Sequence, residues 1–326
     1  MIGSGTWATA IVKILLENPS QRLNWWVRDP QVCDSLRHHG VNCKHLPDLK
    51  LDASRINPST DLDQVVAASD LIFLAIPSAH LEGVLSRLPR QSLEGKRFVS
   101  LVKGSLPDRA MSVSQYLEQE LGVPHDNICV VSGPSHAEEV SLGMATFLTI
   151  ATHCPQLASE VEQALRCSYI HTSHTADIDG VECCGLAKNI YAIAAGLCQG
   201  LGYGDNMNAV LTTAAFREMR DIMQSRLPYS ERDMSRPCYL GDLLVTCWSQ
   251  HSRNRALGVA VAHGKTVQEA FDNMGAVAEG YYSVRNVHQR NLEFGRKIPV
   301  AEAVYRVLYE QADPRTEIDN LIEHVF

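Results

Sequence analysis

Hydrophobic positions along the chain change their period once, after about residue 172. Before that point, short runs rich in β-branched and aromatic residues recur at 22–27, 70–76, 97–102, 127–131 and 145–151, which predicts strands. The segments between them repeat near every 3.6 residues. Residues 6–16 place Trp7, Ala10, Ile11, Ile14 and Leu15 on one helical face, and 61–68 and 79–88 behave alike. Strands alternating with helices imply crossover units and a mainly parallel sheet covered on both faces.

From Ile178 onward strand signals almost vanish. Residues 183–197 (CCGLAKNIYAIAAGL) are small and apolar nearly all round, the pattern of a buried helix. Further helices are expected at 208–224, 239–251, 266–274 and 300–310, with Pro228 and Pro237 as punctuation. The expectation is an α/β domain over 1–175 and an all-helical domain over 176–326.

Composition narrows the function classes. A chain of 326 residues has room for two domains, and 45% apolar with 20% charged residues excludes disorder and fibrous repeats. The net charge of −8 argues against nucleic-acid partners and against an anionic membrane surface. Apolar runs such as Leu71 to Ile76 fall short of the ~20 residues that span a bilayer. No basic segment precedes a long apolar one, so a cytoplasmic address is expected. The ten cysteines include no C-x-x-C and read as small core residues, and the 13 histidines are dispersed. No metal site is expected.

Gly3-Ser4-Gly5-Thr6-Trp7-Ala8 fits G-x-G-x-x-A at the start of an amphipathic helix. Gly3 permits the tight turn, and Gly5 lets backbone approach a pyrophosphate. A small third residue allows close packing, while the helix N-terminus supplies unpaired N–H groups. An ordinary glycine turn is the alternative. The strand before the turn is reduced to Met1 and Ile2, too short for a full ladder. A start inside that strand, which would weaken folding and cofactor binding, and a strand that is simply this short are both open readings. At the end of the next strand, Arg28 occupies the position that accommodates the 2′-phosphate of NADP. Asp29 follows at once and favours NAD if the strand ends one residue later. A solvated turn is the bland reading of both.

Two lysines stand in apolar surroundings. Lys103 follows the run 98–102 at the carboxyl end of a strand, where open α/β sheets bind ligands. Lys188 is embedded in the small-residue helix, directly before Asn189. Burying an ammonium is costly, and desolvation with a second ammonium nearby brings a lysine towards neutrality, as a general acid–base requires. The alternative is a Lys188 that reaches the surface. Asp242 could orient the lysine or a substrate hydroxyl, and Arg253 could clamp a phosphate bidentately.

Seven segments in order carry a resemblance. They are residues 3–10, Val102-Lys103-Gly104, residues 132–139 (SGPSHAEE), residues 185–192 (GLAKNIYA), residues 240–247 (LGDLLVTC), Ser252-Arg253-Asn254-Arg255 and Glu279-Gly280-Tyr281. Over nearly its whole length the chain resembles the NAD(P)-dependent glycerol-3-phosphate dehydrogenases of bacterial type. The resemblance implies a Rossmann-type doubly wound sheet domain before the helical one. It implies Lys188 as the proton-transfer lysine and Lys103 as its companion, bordering both substrate and cofactor. Gly133, Ser135, Asn189, Asp242, Thr246, Ser252, Arg253 and Asn254 match substrate-bordering positions. Gly3, Gly5, Thr6, Trp7, Arg28, Ala137, Arg253 and Glu279 match cofactor contacts. A homodimer and a role in supplying phospholipid synthesis are likewise implied.

The chain departs from the family pattern at Gln199, where an acid is usual, at Tyr239, usually glycine, and at Ala214, usually arginine. Ala8 replaces a third glycine, a permitted change. Added bulk at Tyr239 is expected to narrow the pocket near Asp242. The expected reaction is hydride transfer between sn-glycerol 3-phosphate and NADP or NAD, NADP being favoured by Arg28. Two rivals are a related dehydrogenase of a sugar acid or short hydroxy acid, and a sensor that binds NADP without turnover.

Overall fold

Ile2 joins the two halves of one sheet. The computed structural model describes residues 1–109, 111–226, 229–274 and 277–324. Its first compact unit, Met1–Val102 with Val113–Ile178, carries strands β1 (Leu23–Trp26), β2 (Ile56–Ser59), β3 (Leu71–Leu74), β4 (Arg97–Ser100), β5 (Ile128–Ser132), β6 (Thr146–Ala151) and β7 (Ile170–Thr175). Bridges from Ile2 to Trp26 and to Leu74 set the order β2-β1-Ile2-β3-β4-β5-β6-β7. The pairs β1·β2, β3·β4, β4·β5 and β6·β7 are parallel, and β5·β6 is antiparallel, with Val131 opposite Ile150.

The opening segment is as short as the sequence reads, yet both backbone groups of Ile2 are paired. Its N–H donates to Phe73 O at 2.8 Å, and its carbonyl accepts from Ala75 N at 2.9 Å. On the other side Trp26 N donates to Met1 O at 2.9 Å. The Met1 ammonium donates to Asn24 O at 2.8 Å, and burial pushes it down to about 5.

Two strands escape the hydrophobic pattern. β2 reads INPS, and β7 reads IHTSHT. Both lie at sheet edges, where one side needs no partner strand. Edges tolerate proline and polar residues that a central strand excludes. The helices Pro30–His39 and Pro155–Leu165 were likewise not among the expected elements, and each opens on a proline. A proline there lacks only an N–H that no intrahelical partner needs.

The second unit comprises Lys103–Ser112 and Asp179–Phe326. The division falls after Ile178 rather than after 175, and a ten-residue segment that begins with Lys103 belongs to the helical unit although its sequence lies between strands. Expected helices appear as Ile178–Gly200, Asp205–Arg226, Val267–Met274 and Pro299–Tyr309. The one expected at 239–251 is a π-helical turn, Pro237–Gly241, followed by a helix at Asp242–Trp248. Helices at Arg253–Ala262, Glu279–Phe294 and Pro314–His324 were not foreseen. Pro228 lies outside the described residues.

The small residues of the central helix have a packing cause. A Cβ on Gly196 would meet Arg255 O at 2.1 Å, and one on Gly258 would meet Ile193 O at 2.2 Å. The helices Ile178–Gly200 and Arg253–Ala262 therefore touch backbone to backbone, which only glycine allows. The first of them is, by length and composition, apolar enough to cross a membrane, contrary to the expectation from its shorter runs. Of its most apolar window, 83% is buried inside the protein, as for a core helix.

Candidate active site

In the first unit the glycine turn sits between Ile2 and the helix Thr6–Leu16. Gly3 has φ 112°, and a Cβ there would meet Ala75 O at 2.4 Å. No side chain caps the helix, whose N-cap is Gly5, and its first turn holds no acid. An uncapped helix end beside two glycines that leave the backbone open fits the pyrophosphate of a dinucleotide. Thr6 and Trp7 open that helix, and Arg28 follows β1 as an exposed residue. Gly133 and Ser135 follow β5, with Ser135 Oγ donating to Gly133 O at 2.8 Å, and Ala137 opens a helix with its side chain buried.

The helical unit gathers the charged groups. Asp242 opens its helix and is 1% exposed; Lys188 donates to its Oδ1, and Lys103 lies 3.3 Å from its Oδ2. One carboxylate thus carries two ammonium groups. Burial raises the Asp242 carboxyl, but the charges of Lys103 and Lys188 outweigh it and hold the group below its ordinary value. Burial, aided by the Lys188 charge, pushes the Lys103 ammonium down to about 7 against the pull of Asp242. The Lys188 side chain is 4% exposed and that of Lys103 19%, so Lys103 is the more accessible of the two. Thr246 Oγ1 donates to Asp242 O at 2.6 Å, holding the first turn of the helix.

A chain of amides fixes Lys103 from behind. Asn189 Nδ2 donates to Lys103 O at 2.6 Å, and Asn254 Nδ2 donates to Asn189 Oδ1 at 2.9 Å. Gly280 N then donates to Asn254 Oδ1 at 2.9 Å. Glu279, the residue before it, opens the helix Glu279–Phe294. The sequence marked Asn189 and Asn254 as substrate-bordering positions; in the structure each amide also bonds within the protein. Ser252 caps the helix Arg253–Ala262, its hydroxyl accepting from Arg255 N at 3.3 Å. Arg253, the first residue of that helix, is exposed and makes no ion pair or hydrogen bond among the described residues.

The structure brings Lys103, Lys188, Asn189, Asp242, Thr246 and Asn254 into one bonded group. Gly3, Gly5, Thr6, Trp7, Arg28, Gly133, Ser135 and Ala137 belong to the other unit. Sequence reasoning missed Asn286, which donates to Ser105 Oγ at 2.9 Å and ties the Lys103 segment to the helix Glu279–Phe294. It also passed over Asn42 and Lys44 beside the glycine turn. A lone asparagine or lysine carries no sequence signal of such a role. Tyr239, expected to narrow the pocket, has its side chain enclosed on the turn before Asp242, and Cys184 Sγ donates to its carbonyl at 3.6 Å.

Comparisons with known proteins bear on the family and the fold. The family model described as NAD-dependent glycerol-3-phosphate dehydrogenase N-terminus matches residues 1–158, and that described as its C-terminus matches residues 177–319. A glycerol-3-phosphate dehydrogenase (NAD(P)+) from Salinibacter ruber is 35% identical over 99% of this chain and 94% of its own. One from Clostridium perfringens is 32% identical over 99% and 96%. The crystal structure of glycerol-3-phosphate dehydrogenase from Coxiella burnetii superposes with a TM-score of 0.92 at 29% identity, covering 99% of this chain and 98% of that one. The chain belongs to the NAD(P)-dependent glycerol-3-phosphate dehydrogenases.

Proposed function

We propose that Lys188, Lys103 and Asp242 are the proton-handling centre for interconverting sn-glycerol 3-phosphate and dihydroxyacetone phosphate, the reaction of this family. The observation that carries the reading is the single buried carboxylate holding both ammonium groups. The bound nicotinamide supplies the hydride. In the reducing direction Lys188 gives its proton to the carbonyl oxygen of the substrate. Lys103 holds positive charge against the developing alkoxide, and such preorganised charge often dominates catalysis. Asp242 fixes both lysines, and the amides of Asn189 and Asn254 position Lys103 while bordering substrate. Arg253 grips the phosphate, with Thr246 and Ser252 beside the substrate.

A second assignment is favoured by one observation. Lys103 is the ammonium brought down to about 7, and its side chain is the more open. Near neutrality it can both give and take a proton, so it is the proton donor if Lys188 is not.

The first unit binds the dinucleotide through Gly3, Gly5, Thr6, Trp7 and Ala137. Arg28 takes the 2′-phosphate, so NADP is preferred to NAD. The protein acts in the cytoplasm as a homodimer and supplies glycerol phosphate for phospholipid synthesis.

Assays with dihydroxyacetone phosphate, oxaloacetate and 6-phosphogluconate, each with NADH and NADPH, test this reading. Turnover of dihydroxyacetone phosphate alone is expected. Turnover of either acid at a comparable rate contradicts it, and cofactor binding without any turnover makes the protein a sensor.

A further inference from the structure

The strand end that discriminates between the two dinucleotides holds adjacent opposite charges that do not pair with each other. Among the described residues Arg28 has no ion pair or hydrogen bond. Asp29 is engaged elsewhere. Its Oδ1 caps the helix Pro30–His39, accepting from Gln31 N at 2.9 Å and Val32 N at 3.5 Å. Its Oδ2 accepts from the Lys44 ammonium. The Lys44 bond, with the cap bonds behind it, holds the Asp29 carboxyl below its ordinary value.

Lys44 is placed by the glycine turn itself. Asn42 is fully buried and donates to Ser4 O at 2.9 Å and to Thr9 Oγ1 at 2.8 Å. Its Oδ1 accepts from Lys44 N at 3.3 Å and from His45 N at 3.1 Å. The His45 ring stands 3.4 Å from Thr6 Oγ1. One buried amide thus anchors the backbone of residues 42–45 to the turn that receives the pyrophosphate.

An acid at this strand end serves NAD by accepting the ribose 2′-hydroxyl. Here both oxygens of the only adjacent acid, Asp29, are taken, and the three charges sum to one positive. We propose that Lys44 is a specificity-determining residue for the dinucleotide. By neutralising Asp29 it withdraws the acceptor that NAD would use and leaves the Arg28 guanidinium unopposed for a 2′-phosphate. The proposal rests on the reading of Arg28 as the 2′-phosphate partner.

Fluorescence titration of the full chain with NADPH and NADH tests it, using Arg28→Ala, Lys44→Met, and Lys44→Met combined with Asp29→Asn. Asparagine caps a helix as well as aspartate does, so the fold is retained. Lys44→Met is expected to weaken NADPH about fivefold, the scale of one unscreened charge contact in water, and to leave NADH unchanged or tighter. The added Asp29→Asn restores NADPH affinity. High salt reduces the loss, because the groups are solvent-exposed. Unchanged NADPH affinity in Lys44→Met, or a loss that Asp29→Asn does not restore, overturns the role of Lys44 alone when Arg28→Ala still weakens NADPH selectively. If Arg28→Ala weakens both dinucleotides equally, the reading of Arg28 falls, and the proposal with it.

Discussion

Asn254 donates its side-chain amide to Asn189 Oδ1 at 2.9 Å, and both side chains are buried. The bond links the start of the helix Glu279–Phe294, through Gly280 N, to the carbonyl of Lys103. Asn254→Ala leaves Asn189 Oδ1 and Gly280 N without these partners, at about 1–3 kcal/mol for each buried group. Urea denaturation is expected to show at least about 1 kcal/mol of lost stability. A loss below about 0.5 kcal/mol, the scale of ordinary surface substitutions, contradicts the relay.

Asp242 is the counter-charge of two lysines, so removing it leaves both without that partner. Asp242→Ala is expected to destabilise the fold by about 3–5 kcal/mol, as when one partner of a buried pair is deleted. Urea denaturation at neutral pH measures it. A stability within about 1 kcal/mol of wild type, the scale of a surface pair, contradicts a buried site.

The Lys103 ammonium, brought by burial to about 7, gives the reduction of dihydroxyacetone phosphate an alkaline limb. Below that pH the group carries the charge that stabilises alkoxide, and above it the charge is lost. The limb is expected near pH 7 in kcat/KM, and in Asp242→Asn it moves to lower pH because the raising charge is gone. A limb in the same place in both enzymes shows that another group sets it.

Glu218 provides a pH test outside the site. It accepts from Val300 N at 2.8 Å, Ala301 N at 3.2 Å and the Tyr191 hydroxyl at 3.1 Å, joining the helix Asp205–Arg226 to the start of the helix Pro299–Tyr309. Burial pushes its carboxyl from 4.5 up to about 7 despite those donors. A carboxyl raised in the folded state contributes stability fully below its unfolded value, and loses it as pH rises through its folded value. Relative to Glu218→Gln, wild type is expected to lose a few kcal/mol between about pH 4.5 and pH 7. Parallel stability curves for the two proteins contradict this.

Much of the candidate site is legible in the sequence because its residues break a local pattern. Lys188 interrupts an apolar helix, Gly3 and Gly5 precede one, and Asp242 sits inside the run 240–247 that carries part of the family resemblance. The amide relay is not legible, since Asn189 and Asn254 are 65 positions apart and meet only through two helices that touch at Gly196 and Gly258. Lys44 is silent for the same reason: its meaning comes from Asn42 bonding the glycine turn 38 positions earlier. The edge strands β2 and β7 lack apolar alternation because an edge does not require it.

The most direct test of the central claim is turnover of dihydroxyacetone phosphate by Lys188→Met and Lys188→Arg at saturating substrate, after fluorescence has confirmed NADPH binding. Methionine keeps much of the side-chain length without the charge. If Lys188 is the proton donor, Lys188→Met is expected to lower turnover by at least ~100-fold. Lys188→Arg does not rescue it, because a guanidinium does not release its proton near neutrality. Near wild-type turnover in Lys188→Met would contradict the assignment and move the proton to Lys103. Substantial turnover in Lys188→Arg, with the loss confined to KM, would reduce Lys188 to a phosphate ligand.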